Sequence, residues 1–230
     1  NTTFKIYNIE YLIGVSHFMD FKKRIINIFT NQNNDKYQKY KSKHWQKFYK
    51  KNSFNSEIDL DNFRKIGGAS KGLDQHNSFK ETQDLLIEIK NIVGEKFIKD
   101  NLDKLNIGNS PNNYKYKNFF IDYHNLILIY WFYLIKKHTK INFNTVCEIG
   151  GGFGAFTKIF MQNYHCKILL IDLPEANLLS TYYLYNNFPD KFFFLHDDYA
   201  KDNFLSLEEF QKNDIFILPP NCKIDKKIAE

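Results

Sequence analysis

Apolar residues recur at helical spacing over roughly the first 140 residues, then gather into short continuous runs from Thr145 onward. Phe18, Phe21, Ile25 and Phe29 predict a first helix from about Ser16 to Thr30. Ser78-Phe-Lys-Glu81 reads as a capping box, in which a serine hydroxyl and a glutamate three residues on satisfy each other's free backbone donors. It predicts a helix to about Lys99 with Leu85, Leu86, Ile89, Val93 and Phe97 on one face. Gly108-Asn-Ser-Pro111 breaks the chain before an apolar helix predicted over 119–137. After Thr145 the order changes to strand, turn and helix. Thr145–Ile149 is a strand, Ala155 to about Asn163 a helix, and Lys167–Ile171 a strand apolar enough to be covered on both faces. Pro174, suited to a first helical turn, opens a helix that Pro189 closes. Phe192–Leu195 and Ile215–Leu218 follow as strands, with a short helix at Ser206–Gln211 between them. The expected class is α/β: an N-terminal helical region, then a parallel sheet with helices on both faces.

Composition narrows the picture. With 230 residues, 43% hydrophobic and 17% aromatic, the chain can bury a core without disulfides or metal. Cys147, Cys166 and Cys222 are odd in number and form no C-x-x-C pair, so no metal site is expected and a reducing cytoplasm fits. The longest apolar run, Leu126–Ile135, is half of the roughly 20 residues a membrane span needs. No transmembrane segment or signal peptide is expected.

The net charge of +6 permits an anionic partner. Lys36, Lys39, Lys41, Lys43, Lys47, Lys50 and Lys51 are interleaved with Tyr37, Tyr40, Trp45, Phe48 and Tyr49. The segment reads either as a polyanion-binding surface or as an amphipathic helix with solvated lysines. The second reading is preferred, because no arginine is present there to grip phosphate bidentately; nucleic acid is therefore not the expected partner. Gly67, Gly68 and Gly72 around Lys71 make a flexible loop without Walker A spacing.

Chemistry concentrates at Glu148-Ile-Gly150-Gly151-Gly152-Phe-Gly154, placed after a strand and before a helix. Glycines there permit a sharp exit from the strand and close approach of a ligand and of the following helix, whose N-terminus offers free N–H groups. Asp172 stands at the tip of the next strand, 22 positions after Gly150, where a carboxylate accepts hydrogen bonds from ribose hydroxyls. Together these predict a nucleoside site. Gly150, Gly152 and Ala155 also satisfy the dinucleotide spacing. Glu148 argues against a pyrophosphate, which it would repel, and for S-adenosylmethionine, whose ammonium and sulfonium it would favour.

EIGGGFG followed by LLIDLPE resembles the class I S-adenosylmethionine-dependent methyltransferases. Asn62-Phe-Arg64, Ser70-Lys-Gly-Leu-Asp74 and Ile107-Gly-Asn109 extend the resemblance to bacterial sugar O-methyltransferases of surface-polysaccharide biosynthesis. The resemblance implies a helical cap or substrate region over 1–140 and a Rossmann-like cofactor domain over 141–230. It implies that Glu148, Gly150, Gly151, Gly152 and Gly154 shape the cofactor pocket, that Asp172 binds ribose and Leu173 packs near adenine, and that Pro219 and Pro220 border the adenine end. Arg64, Lys71 and Asp74 are the candidate substrate residues. The acceptor is expected to be a small molecule or glycan. The catalytic residue is left open among Asp74, His76, Asp122, His124 and His196. Two alternatives stand beside this one: an NAD(P)-dependent oxidoreductase or epimerase on a sugar nucleotide, and a non-enzymatic polyanion binder. A complete sheet of this family has more strands than the chain supplies, so the chain is expected to be a fragment of a longer protein, with Asn1 not its natural start.

Overall fold

The computed structural model describes residues 21–30, 37, 39–51, 56–66, 77–195 and 204–229. A helical stretch at 21–30 is followed by α1 (Lys43–Lys51), α2 (Glu57–Asp61), α3 (Phe63–Ile66), α4 (Phe79–Val93) and α5 (Glu95–Asn101). A hairpin of β1 (Tyr114–Tyr116) and β2 (Phe119–Ile121) leads into α6 (Tyr123–His138). Then come β3 (Thr145–Ile149), α7 (Ala155–Asn163), β4 (Lys167–Ile171), α8 (Pro174–Asn187), β5 (Phe193–Leu195), β6 (Phe204–Leu205), α9 (Leu207–Lys212), β7 (Ile215–Leu218), β8 (Lys223–Ile224) and α10 (Lys226–Ala229).

The capping box at Ser78 forms as expected, with its hydroxyl accepting from the Glu81 N–H. The helix it starts is shorter than predicted: Gly94, at φ +85°, breaks it at Val93, and Phe97 falls on a second helix. The apolar helix also starts later than predicted. Phe119–Ile121 pairs with β1, and the Asp122 carboxylate caps α6 by accepting from the Asn125 N–H at 2.7 Å. Hydrophobic runs this short do not separate strand from helix by periodicity, and the Lys117 turn at φ +56° settles it. The predicted start at Ser16 lies outside the described residues.

The main sheet is four-stranded and parallel throughout, in the order β3-β4-β7-β5. Its two faces are read off alternate residues. Ile168, Leu170, Ile215 and Ile217 face a large core shared with α7, α8, α6, Phe63, Leu60 and the 21–30 helix. Leu169, Phe216 and Leu218 face a smaller one with Leu205, Phe210, Ile224 and Ile228. The chain steps one way through the sheet from β3 to β4 to β5, then back to β7. Right-handed crossovers therefore put α7 and α8 on one face and α9 on the other.

This order sets β3 at an edge, bonded only to β4 among the described residues. The dinucleotide order, 3-2-1-4, has its first strand inside the sheet. The open side leaves Ile149 79% exposed.

Candidate functional site

The carboxyl ends of β3 and β4 lie side by side, with Glu148 in register with Leu170 and Ile149 with Ile171. The Gly150 N–H donates to the Ile171 carbonyl at 2.9 Å, which ties the start of the glycine-rich turn to the neighbouring strand. The turn closes with the Gly154 N–H on the Gly151 carbonyl at 2.9 Å. Gly154 is left-handed at φ +85°, and a Cβ there would stand 3.2 Å from Leu184 of α8. Gly154, the fourth glycine of the turn, thus brings α7 close to α8.

Asp172 is half-buried at the tip of β4. One carboxylate oxygen accepts from the Gly152 N–H at 2.9 Å and the other from the Leu173 N–H at 2.7 Å. A carboxylate has about four lone-pair sites, so acceptor capacity remains for a ligand hydroxyl. Buried Asn177 fixes this end of the sheet, donating to the Asp172 carbonyl at 3.0 Å and the Leu218 carbonyl at 2.9 Å. Leu173 is buried, as is Pro219 beyond β7.

Glu148 has a partner that the sequence did not suggest. Its carboxylate accepts the Thr157 hydroxyl of α7 and the Thr157 backbone N–H. Gly154 gives α7 no side-chain cap, so a glutamate from the preceding strand takes that place. Gly151 makes room for it, since a Cβ there would lie 2.9 Å from the Glu148 carboxyl carbon. The signal was present as a hydroxyl at the third position of the helix, but local spacing does not link it to Glu148.

Both carboxyl groups are held above their ordinary values. Burial raises Glu148, the two Thr157 hydrogen bonds oppose that, and the Asp172 charge adds to it. Burial likewise raises Asp172 against the Leu173 and Gly152 N–H bonds, with the Glu175 charge adding to it. A carboxyl that is harder to ionise in the folded state stabilises the protein below its ordinary value, and that contribution is lost as pH rises through the raised one. Without ligand, an ionised Glu148 therefore costs stability. Glu148→Gln is expected to raise the melting temperature of the ligand-free protein by a few degrees at neutral pH. The gain over wild type should vanish toward about pH 4 in paired thermal melts.

The remaining candidates are dispersed. Arg64 is buried and paired with Asp122 at 2.9 Å, with both side chains at 0% exposure. Lys71, Asp74, His76 and His196 lie outside the described residues. In the lysine-rich segment, Lys41 is buried against Glu175 in the first turn of α8, and Tyr37 is buried while Trp45 is 41% exposed. Among the described residues no cluster of His, Cys, Asp or Glu could hold a metal, and no helix is long and apolar enough to cross a membrane.

Comparison with family models, with curated proteins and with solved structures gives no match.

Proposed function

We propose that the chain is a nucleoside-binding α/β protein whose ligand is cationic. More particularly, we read it as an S-adenosylmethionine-dependent O-methyltransferase acting on a sugar hydroxyl. The carrying observation is the Glu148 carboxylate on the N-terminus of α7, beside Asp172 on the next strand tip. In a dinucleotide site that helix end receives pyrophosphate. Here an internal carboxylate already occupies it, and a second stands nearby, so the local charge suits an ammonium or sulfonium and repels phosphate. Two neighbouring strand ends supply a site for one nucleoside. The sugar acceptor rests on the upstream resemblance.

In the reaction, the acceptor oxygen attacks the sulfonium methyl carbon in line. The new C–O bond forms as the C–S bond breaks, leaving neutral S-adenosylhomocysteine, and the hydroxyl proton passes to a base. Asp122 is committed to Arg64 and Asn125. His124 is the described candidate that suits this role. Burial lowers its basicity, so the ring is neutral at neutral pH, and its Nδ1 has no hydrogen-bond partner.

Thermal shift separates the readings. S-adenosylhomocysteine at about 100 times its dissociation constant stabilises by about 2.7 kcal/mol, a rise of several degrees, whereas NAD should give none. Stabilisation by NAD alone would sink the proposal in favour of the oxidoreductase. The polyanion reading predicts steeply salt-dependent nucleic-acid binding, which the burial of Lys41 and Tyr37 disfavours.

A further inference from the structure

We propose that the buried Arg64–Asp122 ion pair is a positioning device for the glycine-rich turn, acting through Phe153. A turn of four glycines and one other residue is costly to order, because glycine loses the most backbone freedom on folding. Phe153 is that other residue, and it is 3% exposed. Its ring sits in a cage drawn mostly from the N-terminal helical region. The Arg64 guanidinium carbon lies 4.9 Å from the ring centroid, Phe63 at 5.6 Å, His124 at 6.0 Å, and Tyr183 of α8 edge-on at 5.0 Å. A desolvated guanidinium over an aromatic face is strongly held.

The cage is itself anchored. Asp122 binds Arg64 and caps α6. The Arg64 N–H donates to the Gly108 carbonyl at 2.9 Å, and Gly108 packs so tightly on Phe63 that a Cβ would stand 2.4 Å from the ring. Three separate N-terminal segments thus converge on one side chain of the turn. The turn's backbone N–H bonds, Gly150 on the Ile171 carbonyl, Gly152 on Asp172 and Gly154 on the Gly151 carbonyl, are single hydrogen bonds of 2.9 Å. Arg64 acts through Phe153 in this arrangement. It sets the conformation in which the turn meets a ligand, and it links the helical region to the proposed nucleoside site. Only the ligand-binding consequence rests on the methyltransferase reading.

The test is the double variant Arg64→Met with Asp122→Asn. Asparagine still caps α6, and no unpaired charge remains buried. Phe153→Leu, which fills the cage without an aromatic face, is the second variant should the first not fold. Amide hydrogen exchange on the ligand-free protein is the first readout. Gly152 and Gly154 should exchange about tenfold or more faster, with Leu170 and Ile217 in the sheet unchanged. Titration calorimetry with S-adenosylhomocysteine is the second, and should show affinity about tenfold weaker from lost preorganisation. Unchanged exchange at the turn overturns the proposal. So does acceleration shared equally by the sheet amides, which would mark a merely structural pair. Faster turn exchange in a protein whose wild type does not bind S-adenosylhomocysteine supports the clasp and removes the methyltransferase reading.

Discussion

Asp172→Ala is expected, on the nucleoside-site reading proposed above, to weaken S-adenosylhomocysteine binding about 100-fold while the protein stays folded. Hydrogen bonds to a charged group contribute about 1.5–3 kcal/mol each, and two ribose hydroxyls on one carboxylate therefore account for about 3 kcal/mol, or about 100-fold. A second loss acts in the same direction. Without the Asp172 carboxylate the Gly152 N–H loses its acceptor, and the glycine-rich turn loses one of its few anchors. Stability should change less than affinity. The carboxyl is held above its ordinary value mainly by burial, so removing it relieves a desolvation cost that partly offsets the two lost backbone bonds. Titration calorimetry gives the affinity and a thermal melt the stability. An unchanged dissociation constant in a folded variant would take Asp172 out of the site.

The elements around that site were legible because each is signalled locally. Gly150–Gly154 after the run Thr145–Ile149 can only be a turn, and Pro174 two residues past the strand tip marks the helix start. The helices 155–163 and 174–187 and the strands 145–149, 167–171 and 215–218 lie where periodicity put them. Gly94 was less legible, since one glycine in an apolar stripe reads as a tolerated interior residue until its φ is seen.

Contacts between distant segments were illegible for a different reason. Arg64 was read from its place beside a glycine-rich loop, and its partner Asp122, 58 positions away, is signalled by no local pattern. The edge position of β3 depends on which strands pair, and strand order is carried by no local pattern. Glu148 was read as a charge suited to a cationic ligand, whereas its role as the cap of α7 needed the fold.

The largest effect on stability is expected at Asp103, which no motif singles out. Its carboxylate accepts from Lys158 of α7 at 2.5 Å, from the Tyr183 hydroxyl of α8 at 3.0 Å and from the Asn125 side-chain amide of α6 at 2.6 Å. Lys158 is 2% exposed, and its ammonium also donates to the Asn101 carbonyl at 3.1 Å. Asp103→Ala leaves that ammonium buried without its counter-charge, and breaking a buried pair in this way costs about 3–5 kcal/mol. That is a large share of the roughly 5–15 kcal/mol a folded domain holds in total. Asp103→Asn should cost less, because an amide oxygen can still accept from Lys158 and Tyr183. Replacing both charges, Asp103→Leu with Lys158→Met, should recover part of the loss, although Tyr183 and Asn125 then lack their acceptor. The network joins the segment after α5 to α6, α7 and α8, so it bonds the helical region to the sheet layer through one core. Urea unfolding should accordingly show a single transition for wild type and a lower midpoint for Asp103→Ala, with fluorescence and circular dichroism coinciding. Two separate transitions in the wild type, or a midpoint unmoved by Asp103→Ala, would show that the helical region and the sheet do not depend on this network to fold together.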